Sequence, residues 1–130
     1  MTDFKSALGI SASAMRAQSD RLRLLSENIA NADTPGYRAK TASFETLTRG
    51  DKAGMVQTGR VALSQSELER IYDPSNPLAD ASGHYEGSNV DLLIELANAR
   101  EAQRSYEANL KMFDQARQMS SSLLDLIRRQ

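Results

Sequence analysis

The stretch Ser26-Glu27-Asn28-Ile29-Ala30-Asn31-Ala32-Asp33-Thr34-Pro35-Gly36-Tyr37 decides the reading of this chain, because it closes one amphipathic helix and turns the backbone out of it. A residue ahead of proline is pushed out of the α region, so Thr34 before Pro35 sets the helix end near Ala32. Pro35-Gly36 suits the two central positions of a type II turn, with glycine taking the positive φ. Tyr37 is then delivered to one side as an anchor. A plain helix end followed by a turn accounts for Pro35 and Gly36. It accounts less well for Asn28 and Asn31, mediocre helix formers one turn apart on one face.

Upstream of that stretch, Leu8, Met15, Leu22 and Ile29 recur every seven positions from about Asp3 to Asn31, with Phe4 and Leu25 on the same stripe. Ser11 and Gln18 fill the remaining seam positions, and a rod of roughly 43 Å is expected. Downstream, from Thr41 to Gly87, the helical period disappears. Residues 41–47 and 55–63 read as short strands or extended pieces joined by a mobile Gly50–Gly54 connection, and Ser66 to Ile71 as a helical turn. With few large apolar residues, this middle is expected to be extended and to order by lying on something else.

A second helix is expected after Gly87, with Ser88 or Asn89 as N-cap and Asp91 in its first turn, running to about Arg128. Its stripe is Leu92, Leu96, Ala99, Tyr106, Leu110, Phe113, Leu124 and Ile127, while Ala102 and Ala116 allow close approach. The expected fold is mainly α: two long terminal helices packed as an antiparallel, coiled-coil-like hairpin around an irregular middle with short β pieces. Residues 1–32, 33–88 and 89–130 form its helix, loop and helix segments within one core domain. Core packing is assigned to Leu8, Met15, Leu22, Ile29, Leu96, Tyr106, Leu110, Phe113 and Leu124, and the shape of the helix exit to Asn28, Asn31, Pro35, Gly36 and Tyr37. Ile10, Leu24, Leu93, Met112, Met119, Leu123 and Leu126 fall off the main stripe and suit contacts between subunits. The alternative is that they pad a wide three-helix core.

Composition narrows the function. The chain has 130 residues, 25% of them charged, and a net charge of −1, leaving no bulk charge to attract nucleic acid or anionic lipid. Cysteine is absent, so no disulfide or thiolate metal site is expected. Gly9, Ser11 and Ser13 interrupt the one candidate leader, residues 7–15, and no run reaches the ~20 apolar residues needed to span a bilayer. Export, if it occurs, is expected to use no cleaved Sec-type peptide. His84, the only histidine, lies in a glycine-rich segment, the carboxylates are scattered, and no phosphate loop follows a strand. No catalytic residue, cofactor, metal or small-molecule substrate is expected. A hydrolase would need His84 or an acidic pair.

Leu24 to Thr34, continued by Pro35-Gly36-Tyr37, together with Asn89 to Glu95, Arg104 to Asn109 and Phe113 to Met119, resembles the bacterial flagellar basal-body rod proteins. The resemblance spans both termini and the loop from Tyr72 to Gly83. It implies a structural subunit that leaves through the flagellar type III export apparatus and polymerises with itself and other rod proteins. The product would be a hollow periplasmic drive shaft carrying torque from rotor to hook. The short Gly50 region places the chain among the small proximal members, and Tyr106-Glu107-Ala108-Asn109 argues against the companion small rod protein. The contrasting reading is a cytosolic helical-hairpin adaptor or chaperone.

Overall fold

The computed structural model describes residues 2–130. Helix α1 (Thr2–Ala30) and helix α2 (Leu92–Arg128) enclose four strands in sequence: β1 (Lys40–Thr46), β2 (Val56–Leu63), β3 (Arg70–Tyr72) and β4 (His84–Glu86). A single 3-10 turn, Gly50–Lys52, lies in the β1–β2 connection. The helices run antiparallel. Phe4 shares a hollow with Met119 and Leu123, Arg21 approaches Glu101 at 3.7 Å, and Asn28 meets Glu95 at 3.1 Å. The expected fold class is therefore the observed one.

Helix α1 uses two faces. Its heptad positions Phe4, Leu8, Ser11, Met15, Gln18, Leu22, Leu25 and Ile29 are all buried or half-buried along the α2 side. The second face carries the β1–β2 hairpin. Ser13 Oγ donates to the Ile10 carbonyl at 2.8 Å and accepts the Val56 N–H at 3.0 Å, and one heptad later Asp20 accepts from Thr58 Oγ1 at 2.8 Å. Leu24, assigned from sequence to an outward position, is buried on this face because the hairpin covers it, with Phe44 and Thr58 lining the same recess. Hairpin pairing runs from Lys40 opposite Leu63 to Thr46 opposite Val56, with a register slip between Ala42 and Phe44.

Helix α2 meets α1 along a different line from the one its leucines suggest. Ala102 has no exposed surface at all, and Glu95, Asn98, Ala99, Ser105, Tyr106, Asn109, Phe113, Ala116 and Ser120 flank it half-buried. Leu96, Leu110 and Leu124, assigned from sequence to the packing seam, are between 38% and 46% exposed. Small side chains at the crossing bring the two backbones close, which turns the larger aliphatic groups to the flank. The helix also starts later than expected: Asp91 is its N-cap, accepting from the N–H groups of Leu93 and Ile94.

The expected helical turn at Ser66 to Ile71 does not form: residues 66–69 are irregular and strand β3 begins at Arg70. Arg70, Ile71 and Tyr72 pair antiparallel with Glu86, Tyr85 and His84. Local propensity loses here to a partner strand more than ten residues away, across the Asp73–Gly83 loop.

Candidate functional site

The helix-exit motif folds into a latch centred on Asn28, which is only 1% exposed. A primary amide has two acceptor lone pairs and two N–H donors, and all four are engaged. Oδ1 accepts from the Tyr37 hydroxyl at 2.8 Å and from the Lys40 N–H at 2.9 Å. Nδ2 donates to the Lys40 carbonyl at 2.9 Å and to Glu95 Oε2 at 3.1 Å. One side chain thus ties together α1, the turn, the start of β1 and the first turn of α2. Lys40 Nζ adds an ion pair to Glu27 at 3.0 Å.

Asn31 closes the end of α1. Its Nδ2 donates to the Glu27 carbonyl at 2.8 Å and its Oδ1 accepts from Thr34 Oγ1 at 3.1 Å. The turn that follows has the Tyr37 N–H donating to the Thr34 carbonyl at 3.1 Å, with Gly36 at φ +75°. The Gly36 N–H also reaches the carbonyls of Glu86 and Gly87, fastening the turn to the end of β4. A Cβ at Gly36 would meet nothing within 4 Å, so its penalty is conformational rather than steric. Gly36→Val is therefore expected to cost about 1–2 kcal/mol in urea unfolding and Gly36→Asn much less, because asparagine tolerates the left-handed region. Equal midpoints for wild type and Gly36→Val would contradict this.

Sequence reasoning missed a second junction. Asn89 Oδ1 accepts the Ala39 N–H at 2.7 Å, and its Nδ2 donates to the carbonyls of Ser64 and Ser66, each at 3.1 Å. Arg38 reaches the same two carbonyls, and Ser88 Oγ donates to the Ala32 carbonyl just past the end of α1. A signal was present: Ser88, Asn89 and Asp91 are all good N-cap types, and a helix needs only one.

Burial pushes the Tyr37 phenol above its usual value. Lys40 opposes that shift, and Glu27 and Glu95 reinforce it. A group whose acid form the fold prefers contributes its stability below its unfolded pKa and loses it as pH rises through the folded one. Stability is thus expected to fall above about pH 10 as the hydrogen bond to Asn28 is lost. Thermal melts should show a smaller alkaline decline in Tyr37→Phe; an identical decline would remove Tyr37 from the account.

The remaining assigned residues divide by environment. Leu8, Met15, Leu22, Ile29, Tyr106 and Phe113 are half-buried between the helices, whereas Leu96, Leu110 and Leu124 join Leu93, Met112, Met119, Leu123 and Leu126 on the exposed flank and tip of α2. His84 lies on β4 against Tyr72, with ring centroids 5.1 Å apart. Ser82 Oγ sits 2.6 Å from Asp80 and 3.1 Å from His84 Nδ1. The Ser82 hydroxyl and the His84 N–H hold Asp80 below the usual carboxylate value. Among the described residues there is no cluster of three metal-ligating side chains and no helix long and apolar enough to cross a membrane.

Two long antiparallel helices, a polar latch at their junction and an uncovered apolar flank define a helical-hairpin scaffold subunit. Residues 8–38 match the family model for the flagella basal body rod protein, and residues 81–126 that for the flagellar basal body rod FlgEFG protein C-terminal region. These two segments hold both the latch and most of α2. The chain is similar to the flagellar basal-body rod protein FlgC of Agrobacterium fabrum, at 40% identity over 98% of each chain. It is also similar to FlgC of Salmonella typhimurium, at 38% identity over 90% of this chain and 92% of the relative, and to FlgC of Buchnera aphidicola subsp. Baizongia pistaciae, at 31% over 90% and 93%. The chain belongs to the flagellar basal-body rod protein family, and within it is FlgC-like.

Proposed function

We propose that this chain is a structural subunit of the proximal rod of the flagellar basal body, polymerising with itself and other rod proteins into the hollow shaft that carries torque from rotor to hook. The observation that carries this reading is the uncovered apolar side of α2 on a chain alike over nearly its whole length to FlgC. Fully burying an exposed leucine, isoleucine or methionine gains about 1.5–3 kcal/mol, and these side chains, 38% to 78% exposed, gain the corresponding part of it when covered, which neighbouring subunits supply and the lone hairpin lacks. The subunit reaches the periplasm through the flagellar type III export apparatus. It performs no catalysis and takes no cofactor, nucleic acid or small-molecule substrate. Torque passes through many shallow contacts, and the β1–β2 hairpin, fastened along α1 by Ser13 and Asp20, stiffens each subunit against shear.

Sedimentation combined with circular dichroism tests this. The purified chain is expected to grow from monomer to polymer as concentration rises, with helicity rising in step, because the last turns of α2 gain their packing from neighbours. A cooperative monomer whose helicity and size do not change with concentration would overturn the reading in favour of a hairpin adaptor.

A further inference from the structure

The two ends of α2 complement each other, yet within one chain they never meet, since a helix of this length separates them by about 55 Å. At the head, Leu92, Leu93 and Ile94 stand exposed on three successive bearings, Leu93 at 78%. The adjoining hollow is walled by Glu67, Glu69 and Asp91. Glu67 and Glu69 are exposed, and among the described residues neither has a cationic partner within ion-pair distance. The nearby cations are occupied: Arg38 binds the carbonyls of Ser64 and Ser66, and Arg70 pairs with Asp80 at 3.6 Å. At the tip, Leu123, Leu126 and Ile127 are exposed, Ile127 at 63%, and Arg128 and Arg129 follow with no carboxylate within ion-pair distance among the described residues. Asp125, one turn earlier, leaves the tip with net positive side-chain charge.

We infer that the acidic, aliphatic head of α2 receives the basic, aliphatic tip of α2 from a second copy of this chain. The inference rests on the reading of the chain as a polymerising subunit and names one of its contacts. Charge sets the polarity: head on head would oppose Glu67, Glu69 and Asp91 to themselves, and tip on tip would oppose the arginines, each unfavourable. An end-on contact leaves a free head and a free tip and continues as a ring or helical array, whereas a side-by-side antiparallel pair would satisfy both patches at once and close as a dimer; growth beyond the dimer in sedimentation separates the first from the second.

The chain has no cysteine, so single introduced thiols report contacts without background. Full-length Leu93→Cys and Leu126→Cys chains, one of them uniformly nitrogen-15 labelled so that mixed and same-site products differ in mass, are to be mixed at a concentration where sedimentation shows polymer and then mildly oxidised. The mixed disulfide is expected to exceed either same-site product by about tenfold. Adding Arg128→Glu and Arg129→Glu to the Leu126→Cys chain is expected to lower it by about tenfold, and Glu67→Arg with Glu69→Arg on the Leu93→Cys chain to restore it. Same-site products equal to or above the mixed one, in a chain that still polymerises, would overturn this contact and leave the rod reading standing. A chain that stays monomeric at every concentration would overturn both.

Discussion

Asn28→Leu is expected to lower the unfolding free energy of the isolated chain by about 3–5 kcal/mol, a large part of the stability of a domain this size. Leucine keeps the branching and heavy-atom count of the asparagine side chain but is bulkier and apolar, so the loss combines the missing hydrogen bonds with overpacking at a buried site. The Lys40 N–H and carbonyl, the Tyr37 hydroxyl and the Glu95 carboxylate all lose their partner at one stroke. Orphaned polar groups away from water cost about 1–3 kcal/mol each, and the half-buried ones recover part of that from solvent. Asn28→Asp sharpens the test, because it keeps the acceptor and shape but places a carboxylate where an amide donated to Glu95. Repulsion raises the folded pKa of the new acid, so stability is present at low pH and lost as pH rises through that value. Urea unfolding at neutral and acidic pH reads both effects. An Asn28→Leu chain within about 0.5 kcal/mol of wild type would show that the latch is ornamental.

Leu110→Pro is expected to abolish assembly and motility, and to cost about 3 kcal/mol or more in the free chain. Proline at this position removes the N–H bond to the Tyr106 carbonyl and sets its ring against that carbonyl, breaking α2 near its middle. Everything beyond then loses its alignment with α1, including Met119 and Leu123 opposite Phe4. The Leu110 side chain is itself exposed, so Leu110→Ala serves as the control: it should leave the monomer within about 1 kcal/mol of wild type. Circular dichroism and swarming of cells carrying only the variant give the two readouts. Normal swarming with Leu110→Pro would refute a continuous α2.

Much of this was legible in one dimension. The seven-residue recurrence from Phe4 to Ile29 marks the side of α1 that α2 covers, since a repeat of that period keeps one stripe facing a partner. Pro35-Gly36 fixes the helix exit through backbone sterics that need no tertiary context, and Gly36 duly takes a positive φ. The paired amides drew attention because asparagine had no local reason to be there, and Asn28 proved to be the hub.

What the sequence determined by itself, then, was whatever depends on neighbours along the chain: two long helices, the sharp exit between Asn31 and Tyr37, and a middle without helical period. Ala99, Tyr106 and Phe113, with Ala102 and Ala116 as close-approach positions, were legible as the inward side of α2, whereas the tertiary structure alone turned Leu96, Leu110 and Leu124 to the flank, because the close approach at Ala102 leaves no room for larger groups there. It alone paired residues 70–72 with 84–86, buried Leu24 under a hairpin, and joined Asn28 to Glu95 across 67 positions. Periodicity reports that a stripe exists; only the packed neighbour determines which stripe is covered and which polar groups find their partners.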